Sequence, residues 1–193
     1  NILDYGVDGT DNRGHGTHIA GTIAEGTPSN VKIFPIKTSE TGSLSHTDII
    51  AAINYIVYYE KADIINMSFG GTSYDYNMYV AIEAANDKNI ISVAAAGNKG
   101  TSKKFYPASY DNTISISAVD KNLNLASFSS YGSTVTFAAP GVDILSINGS
   151  KDGTSMATPI VSGAAAILLS KNPNLTNYEV KDRLKQCCTD LGM

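Results

Sequence analysis

Short, often β-branched apolar runs alternate with segments of helical periodicity along most of this chain, and that alternation limits the folds open to it. Residues 31–37, 63–69, 90–96, 113–119 and 135–139 are apolar and of strand length. Between the first two lies 47–59, where Ile49, Ile50, Ile53, Ile56 and Val57 recur at helical spacing. Residues 77–87 repeat the pattern, with Met78, Ala81, Ile82 and Ala85 facing inward. Strands joined through helices run parallel, and helices then cover both faces of the sheet. The expected fold class is α/β. Ligands of such sheets bind beyond the carboxyl ends of the strands, where loops converge.

The chain has 193 residues, which suits one domain spanning 1–193 with a sizeable core. Hydrophobic residues make up 42% and charged residues 17%, the balance of a compact rather than a disordered chain. A net charge of −4 argues against nucleic acid or an anionic membrane as the main partner. No apolar run reaches the length of a bilayer span, and no signal peptide is recognisable. The sequence opens at Asn1 without an initiator Met, so a processed or trimmed N-terminus is expected. Cys187 and Cys188 are adjacent. Neighbours of this kind do not form an ordinary structural disulfide. They read as helix residues packing like small hydrophobes, and the redox compartment stays open.

Near the C-terminus, Thr176-Asn177-Tyr178-Glu179 is a capping box. It predicts a helix with Val180, Leu184 and Leu191 on one side, ending near Gly192. A helix over 155–170 precedes it. Its Gly163-Ala164-Ala165-Ala166 stretch permits close packing and predicts burial.

Two Gly-flanked segments carry the chemistry. Gly153-Thr154-Ser155-Met156-Ala157-Thr158-Pro159 places Ser155 at a helix start, because Pro159 is tolerated only there. Unpaired N–H groups and the helix dipole at that point favour an anion forming beside the serine. The competing reading is a simple N-cap. Gly14-His15-Gly16-Thr17-His18 places His15 at another helix start, which favours a neutral imidazole. A packed or capping histidine is the plainer alternative. His15 and His18 stand three apart, but no third ligand is evident, so no metal is assigned. His18 reads as structural. Asn98 follows the run Ile90–Gly97 and can aim an amide donor into a cleft; taken alone it reads first as an ordinary turn residue in Gly-Asn-Lys-Gly.

Taken in order, Gly-His-Gly-Thr-His, Ala-Ala-Ala-Gly-Asn and Gly-Thr-Ser-Met-Ala-Thr-Pro resemble the subtilisin family of serine proteases. Ile65-Asn66-Met67-Ser68-Phe69-Gly70-Gly71 resembles its substrate-binding strand, and Ala139-Pro140-Gly141 its segment before the serine. The resemblance covers about Asp11 to Gly192. It implies a doubly wound α/β peptidase in which Ser155 attacks the peptide carbonyl and His15 takes its proton. Asn98 and the Ser155 N–H would hold the oxyanion. Ser68, Phe69 and Gly70, with Ala96 and Gly97, would pair with a polypeptide substrate. It places Phe105 at the floor of the first specificity pocket and Lys99 at its mouth, which implies a shallow pocket with a basic rim. It favours secretion without deciding the compartment.

The sequence departs from the family in two places. The family's aspartate ends a first strand well before the histidine. Here Asp4, Asp8 and Asp11 lie before His15, and none follows a strand-length apolar run or precedes Ser/Thr-Gly. No triad aspartate is assigned, and the sheet is expected to lack its N-terminal first strand. The polar, glycine-bearing residues 4–14 suggest a nicking site, with a separate N-terminal fragment supplying the aspartate. A catalytically inactive binding or regulatory module on the same fold is the alternative. The second departure is the short Ala24-Glu25-Gly26-Thr27-Pro28-Ser29 connection, which supplies too few oxygen ligands for the family's tight calcium site. No cofactor is expected to be required, and a weak calcium site elsewhere stays open.

Overall fold

The computed structural model describes residues 9–191. Its elements, in chain order, are α1 (His15–Gly26), α2 (His46–Tyr59), β1 (Ile64–Met67), α3 (Tyr76–Asp87), β2 (Ile91–Ala95), β3 (Thr113–Val119), β4 (Phe137–Pro140), β5 (Ile144–Ser146), β6 (Gly149–Lys151), α4 (Thr154–Lys171) and α5 (Asn177–Gln186). Four strands form one sheet in the order β1-β2-β3-β4, and every pairing in it is parallel. β5 and β6 form a separate antiparallel hairpin.

Side chains alternate across the sheet and divide the core into two layers, as the strand period requires. Ile65 and Met67 of β1 join Ile49, Ile53 and Ile56 of α2 and Met78, Ile82 and Ala85 of α3 on one face. Val93 of β2 and Ile114, Ile116 and Ala118 of β3 meet Ala157, Val161 and Ala165 of α4 and Val180 of α5 on the other. The small residues of α4 let it lie close on the sheet, and Gly163 comes near Thr27 of the neighbouring α1 region. The capping box at Thr176 and Glu179 forms as expected.

Three expectations need correction. Residues 31–37 form no strand; Ile33 and Phe34 remain 40% and 50% exposed. A strand exists only where its N–H and C=O groups find a neighbouring strand, and among the described residues the sheet ends at β1. α5 stops at Gln186, with Cys187 as its C-cap, instead of running to Gly192, which lies outside the described residues. Leu191 is therefore not part of its apolar side, and both cysteines are exposed rather than packed. The β5–β6 hairpin was not anticipated, because three-residue strands carry almost no periodicity.

One glycine closes the layers on each other. Gly141 follows β4, its amide donates to the Val119 carbonyl and its carbonyl accepts from the Gly153 amide. A Cβ there would stand 2.5 Å from the Ala118 Cβ and 2.8 Å from the Gly153 oxygen. Neither neighbour can yield, since one is a short core side chain and the other is backbone. Gly141→Ala should therefore destabilise the fold by about 1–3 kcal/mol in denaturant unfolding; an unchanged midpoint would show that the β4–α4 junction is looser than this.

Candidate active site

Several distant stretches of chain meet at the start of α4, beyond the carboxyl ends of β1 and β2. Gly153 precedes the helix at φ 144° and serves as its N-cap. Ser155 is thus the second helical residue and not the cap. Its hydroxyl donates to the Ser68 carbonyl at 2.9 Å, and the Ser68 hydroxyl donates back to the Ser155 carbonyl at 2.9 Å. That second bond has a cause in the sequence. Pro159 stands four residues after Ser155 and has no N–H to offer its carbonyl. Ser68 takes the vacated place. Asn66 in turn donates to the Ser68 hydroxyl at 2.9 Å, and Ser162 of α4 donates to Asn66 Oδ1 at 2.9 Å.

Asn98 is held from the same helix. Its Oδ1 accepts from the Thr154 amide at 2.9 Å and the Thr154 hydroxyl at 2.8 Å. A backbone N–H can only donate, so the amide oxygen must face Thr154 and the NH2 group points away. The ordinary-turn reading of Asn98 does not account for this contact. Thr154, fully buried, also accepts from the Gly97 amide at 3.2 Å. The place where a Cβ of Gly153 would lie is 3.3 Å from Asn98 Nδ2, 3.6 Å from the Ser155 nitrogen and 3.5 Å from the Met156 sulfur. Two N–H donors therefore border one space that only a glycine leaves open.

His15 is the first residue of α1, after Gly14 at φ 71°. It makes no hydrogen bond to Ser155, whose hydroxyl is engaged with Ser68. The ring keeps an exposed surface. Partial desolvation by the surrounding chain lowers its pKa from the ordinary 6.5, the positive charge of Lys151 lowers it further, and Asp11 opposes both. The start of α1 is fixed by Asp11. That carboxylate accepts from the amides of Arg13, Gly14 and Thr17 and from the Thr17 hydroxyl, at 2.8–3.0 Å. Desolvation works against its ionisation, but the Thr17, Arg13 and Gly14 bonds prevail and hold its pKa at about 2. Asp11 is thus committed to the helix end. Asp4 and Asp8 lie outside the described residues.

The hairpin ties this helix to the serine segment. His18, fully buried, turns Nε2 to the carbonyls of Ile144 and Gly149 at 3.0 and 3.1 Å, so that nitrogen carries the proton. Ser146 donates to the His18 carbonyl at 2.8 Å and Asn148 to the Gly14 carbonyl at 2.6 Å. His18 is structural, as its sequence position suggested. Among the described residues no three of His, Cys, Asp and Glu converge as a metal site would require, and no helix is long and apolar enough to cross a membrane.

Of the other residues singled out by sequence, Ser68 is buried and Gly70 exposed just after β1, while Phe69 is half-buried and packs against the first core layer. Ala96 and Gly97 are buried, and Lys99 is exposed. Phe105 is half-buried, with its ring against Gly70 and Gly97. Sequence reasoning missed Thr154, Asn66 and Ser162, and it missed the clamp formed by Ser146 and Asn148. The Asn148-Gly149 pair was the available hairpin signal.

Comparison with known proteins agrees with the fold. The family model described as "Subtilase family" matches residues 3–193. Subtilisin DY of Bacillus licheniformis is 42% identical over 95% of this chain and 73% of its own length. Subtilisin E of Bacillus subtilis (strain 168) is 41% identical over 94% of this chain, which spans 52% of that relative, about half. The crystal structure of a cold adapted subtilisin-like serine proteinase superposes with a TM-score of 0.90 at 29% identity, covering 99% of this chain and 74% of that one.

The His15 environment gives a signed expectation. A folded-state pKa below 6.5 means that the unfolded chain takes up the proton first, so this group's share of stability falls as pH drops from 6.5 through the lowered value. In a histidine NMR titration, His15 should titrate below 6.5, and Lys151→Gln should move it upward. A wild-type value above 6.5, or no response to Lys151→Gln, would contradict the stated causes.

Proposed function

The chain belongs to the subtilase family, and we propose that it is a serine endopeptidase in which Ser155 is the nucleophile, His15 the general base and acid, and Asn98 an oxyanion donor. The observation that carries the reading is the pair of nitrogens, Asn98 Nδ2 and the Ser155 backbone N, bordering one space at Gly153. Donors fixed in advance at the place where negative charge develops stabilise a transition state without reorganising. Thr154 supplies that fixity, since it holds the Asn98 amide by its oxygen.

The steps follow from the residues. The Ser155 hydroxyl turns about its Cα–Cβ bond, away from the Ser68 carbonyl and towards His15. His15 accepts the hydroxyl proton as Oγ bonds to the peptide carbonyl carbon, and the oxyanion rests on the two donors. His15 then passes that proton to the leaving amine as the C–N bond breaks, and water reverses the sequence to free the acid. The lowered pKa of His15 suits the first step, because only the neutral ring accepts a proton. The exposed backbone of Gly70 and the Ser68–Phe69 segment would pair with an extended polypeptide, together with Ala96 and Gly97. The carboxylate that orients His15 is, in this proposal, drawn from outside the described residues, with an N-terminal segment or fragment as its source and the edge of β1, which no strand pairs among the described residues, as a place for it to dock.

A fluorophosphonate tests the reading. On the full-length protein it should label Ser155 and nothing else, and Ser155→Ala should remove both label and peptide hydrolysis. Asn98→Ala should cut kcat by about 10²–10³ with little change in KM, the loss seen when a subtilisin loses one such donor. A folded full-length protein that neither labels nor cleaves would leave a binding module on this fold as the surviving account.

A further inference from the structure

We propose that the Phe105 side chain fills the specificity cleft beside Ser155, so that the protein cleaves after glycine, alanine or serine and rejects large side chains there. The inference rests on the roles assigned above to Ser155 and Asn98 and names the substrate class of that same site.

The cleft is bounded by two segments. One, Ser68 to Gly70, is joined to Ser155 through the reciprocal Ser68 bonds. The other, Ala96 to Asn98, is joined to the same helix through Thr154. A peptide carbonyl resting on the two donors puts its own α-carbon between these segments, and its side chain must enter the gap that separates them. Both walls carry glycine at that level. A Cβ on Gly70 would meet Phe105 Cε1 at 2.5 Å and the Tyr106 carbonyl at 2.5 Å, and a Cβ on Gly97 would meet Phe105 Cγ at 3.1 Å and Cδ1 at 3.2 Å. One ring thus touches both walls from between them. The two glycines give their room to Phe105 and not to a substrate.

The main chain that carries the ring is fixed. The Phe105 amide donates to the Ser109 hydroxyl at 3.0 Å, and the Phe105 carbonyl accepts from the Ser109 amide at 2.9 Å. The next residue is fixed by paired bonds, Gly71 amide to Tyr106 carbonyl at 2.8 Å and Tyr106 amide to Gly71 carbonyl at 2.7 Å. A hydrogen or methyl group can lie against the ring. A benzyl or longer side chain would have to displace it, and overpacking of this kind is resisted because the neighbours are already close-packed.

The test uses the full-length protein and chromogenic tetrapeptides that differ only in the residue before the scissile bond. Alanine should exceed phenylalanine in kcat/KM by about tenfold or more, and Phe105→Gly should reverse that order. Phe105→Ala serves as a second variant where the glycine form does not fold, and it should narrow the ratio. Equal or better cleavage after phenylalanine by the wild type overturns the proposal, as does an unchanged ratio in a folded variant. Product peptides ending in alanine or phenylalanine, followed by NMR shifts of the Gly70 and Gly97 amides, read the same gap without catalysis. Tighter binding of the alanine peptide then supports the inference even if hydrolysis and fluorophosphonate labelling both fail, while tighter binding of the phenylalanine peptide overturns it.

Discussion

A proline four residues after Ser155 removes the amide that would have bonded the Ser155 carbonyl, and much of the site's geometry depends on how that carbonyl is satisfied. A part-buried carbonyl without a partner costs about 1–3 kcal/mol. Ser68 supplies the partner from the end of β1, and its own carbonyl accepts the Ser155 hydroxyl. Asn66 and Ser162 complete the chain of bonds and return it to α4 two turns later. The end of a strand is thereby latched to the start of the helix that crosses beneath the sheet. A proline that looks like a defect in the sequence thus fixes the register between Ser155 and the end of β1.

Positioning runs outward from that latch. Thr154 sits one residue before Ser155, is fully buried, and bonds both Gly97 and Asn98. It therefore ties the end of β2 to the same helix turn that Ser68 ties to β1. The amide of Gly153 donates to the Gly141 carbonyl at 2.8 Å, which brings in the end of β4. Three strand ends are thus referenced to one helical turn. Small residues make this possible, because Gly141, Gly153 and Gly97 each stand where a Cβ would meet another part of the site.

Much of this was legible in the sequence because it is local. The apolar periodicity of 47–59 and 77–87 located α2 and α3 to within a residue, and the capping box located the start of α5. Pro159 dated the start of α4. The segment 31–37 misled for a physical reason: β-branched composition describes what a strand would look like, while a strand also needs a neighbour. Thr154 was overlooked because its role is a contact with Asn98, 56 positions away, and nothing in the local pattern signals it. Asp11 shows the converse limit. The sequence assigned it no role, and its oxygens are spent on amides and a hydroxyl at the start of α1.

The two helix starts explain why a chain of net charge −4 can build a cleft suited to negative charge. α1 and α4 pack side by side. Asn148 and Ser146 tie the first turns of α1 to the hairpin that leads into α4, and Thr27 near the end of α1 approaches Gly163 further along α4. The helices therefore run in the same sense, with His15 and Ser155 both in first turns. The first turn of a helix carries amides without intrahelical partners and about half a positive charge. At α1 the Asp11 carboxylate absorbs much of that field and anchors the helix. At α4 the N-cap Gly153 has no side chain to offer, and Asn98 Oδ1 accepts from the first amide, that of Thr154. Partial desolvation disfavours a proton on His15, and the positive charge of Lys151 adds to that effect. Side-by-side packing of α1 and α4 thus sets two helix N-termini next to each other, one carrying His15 and the other Ser155.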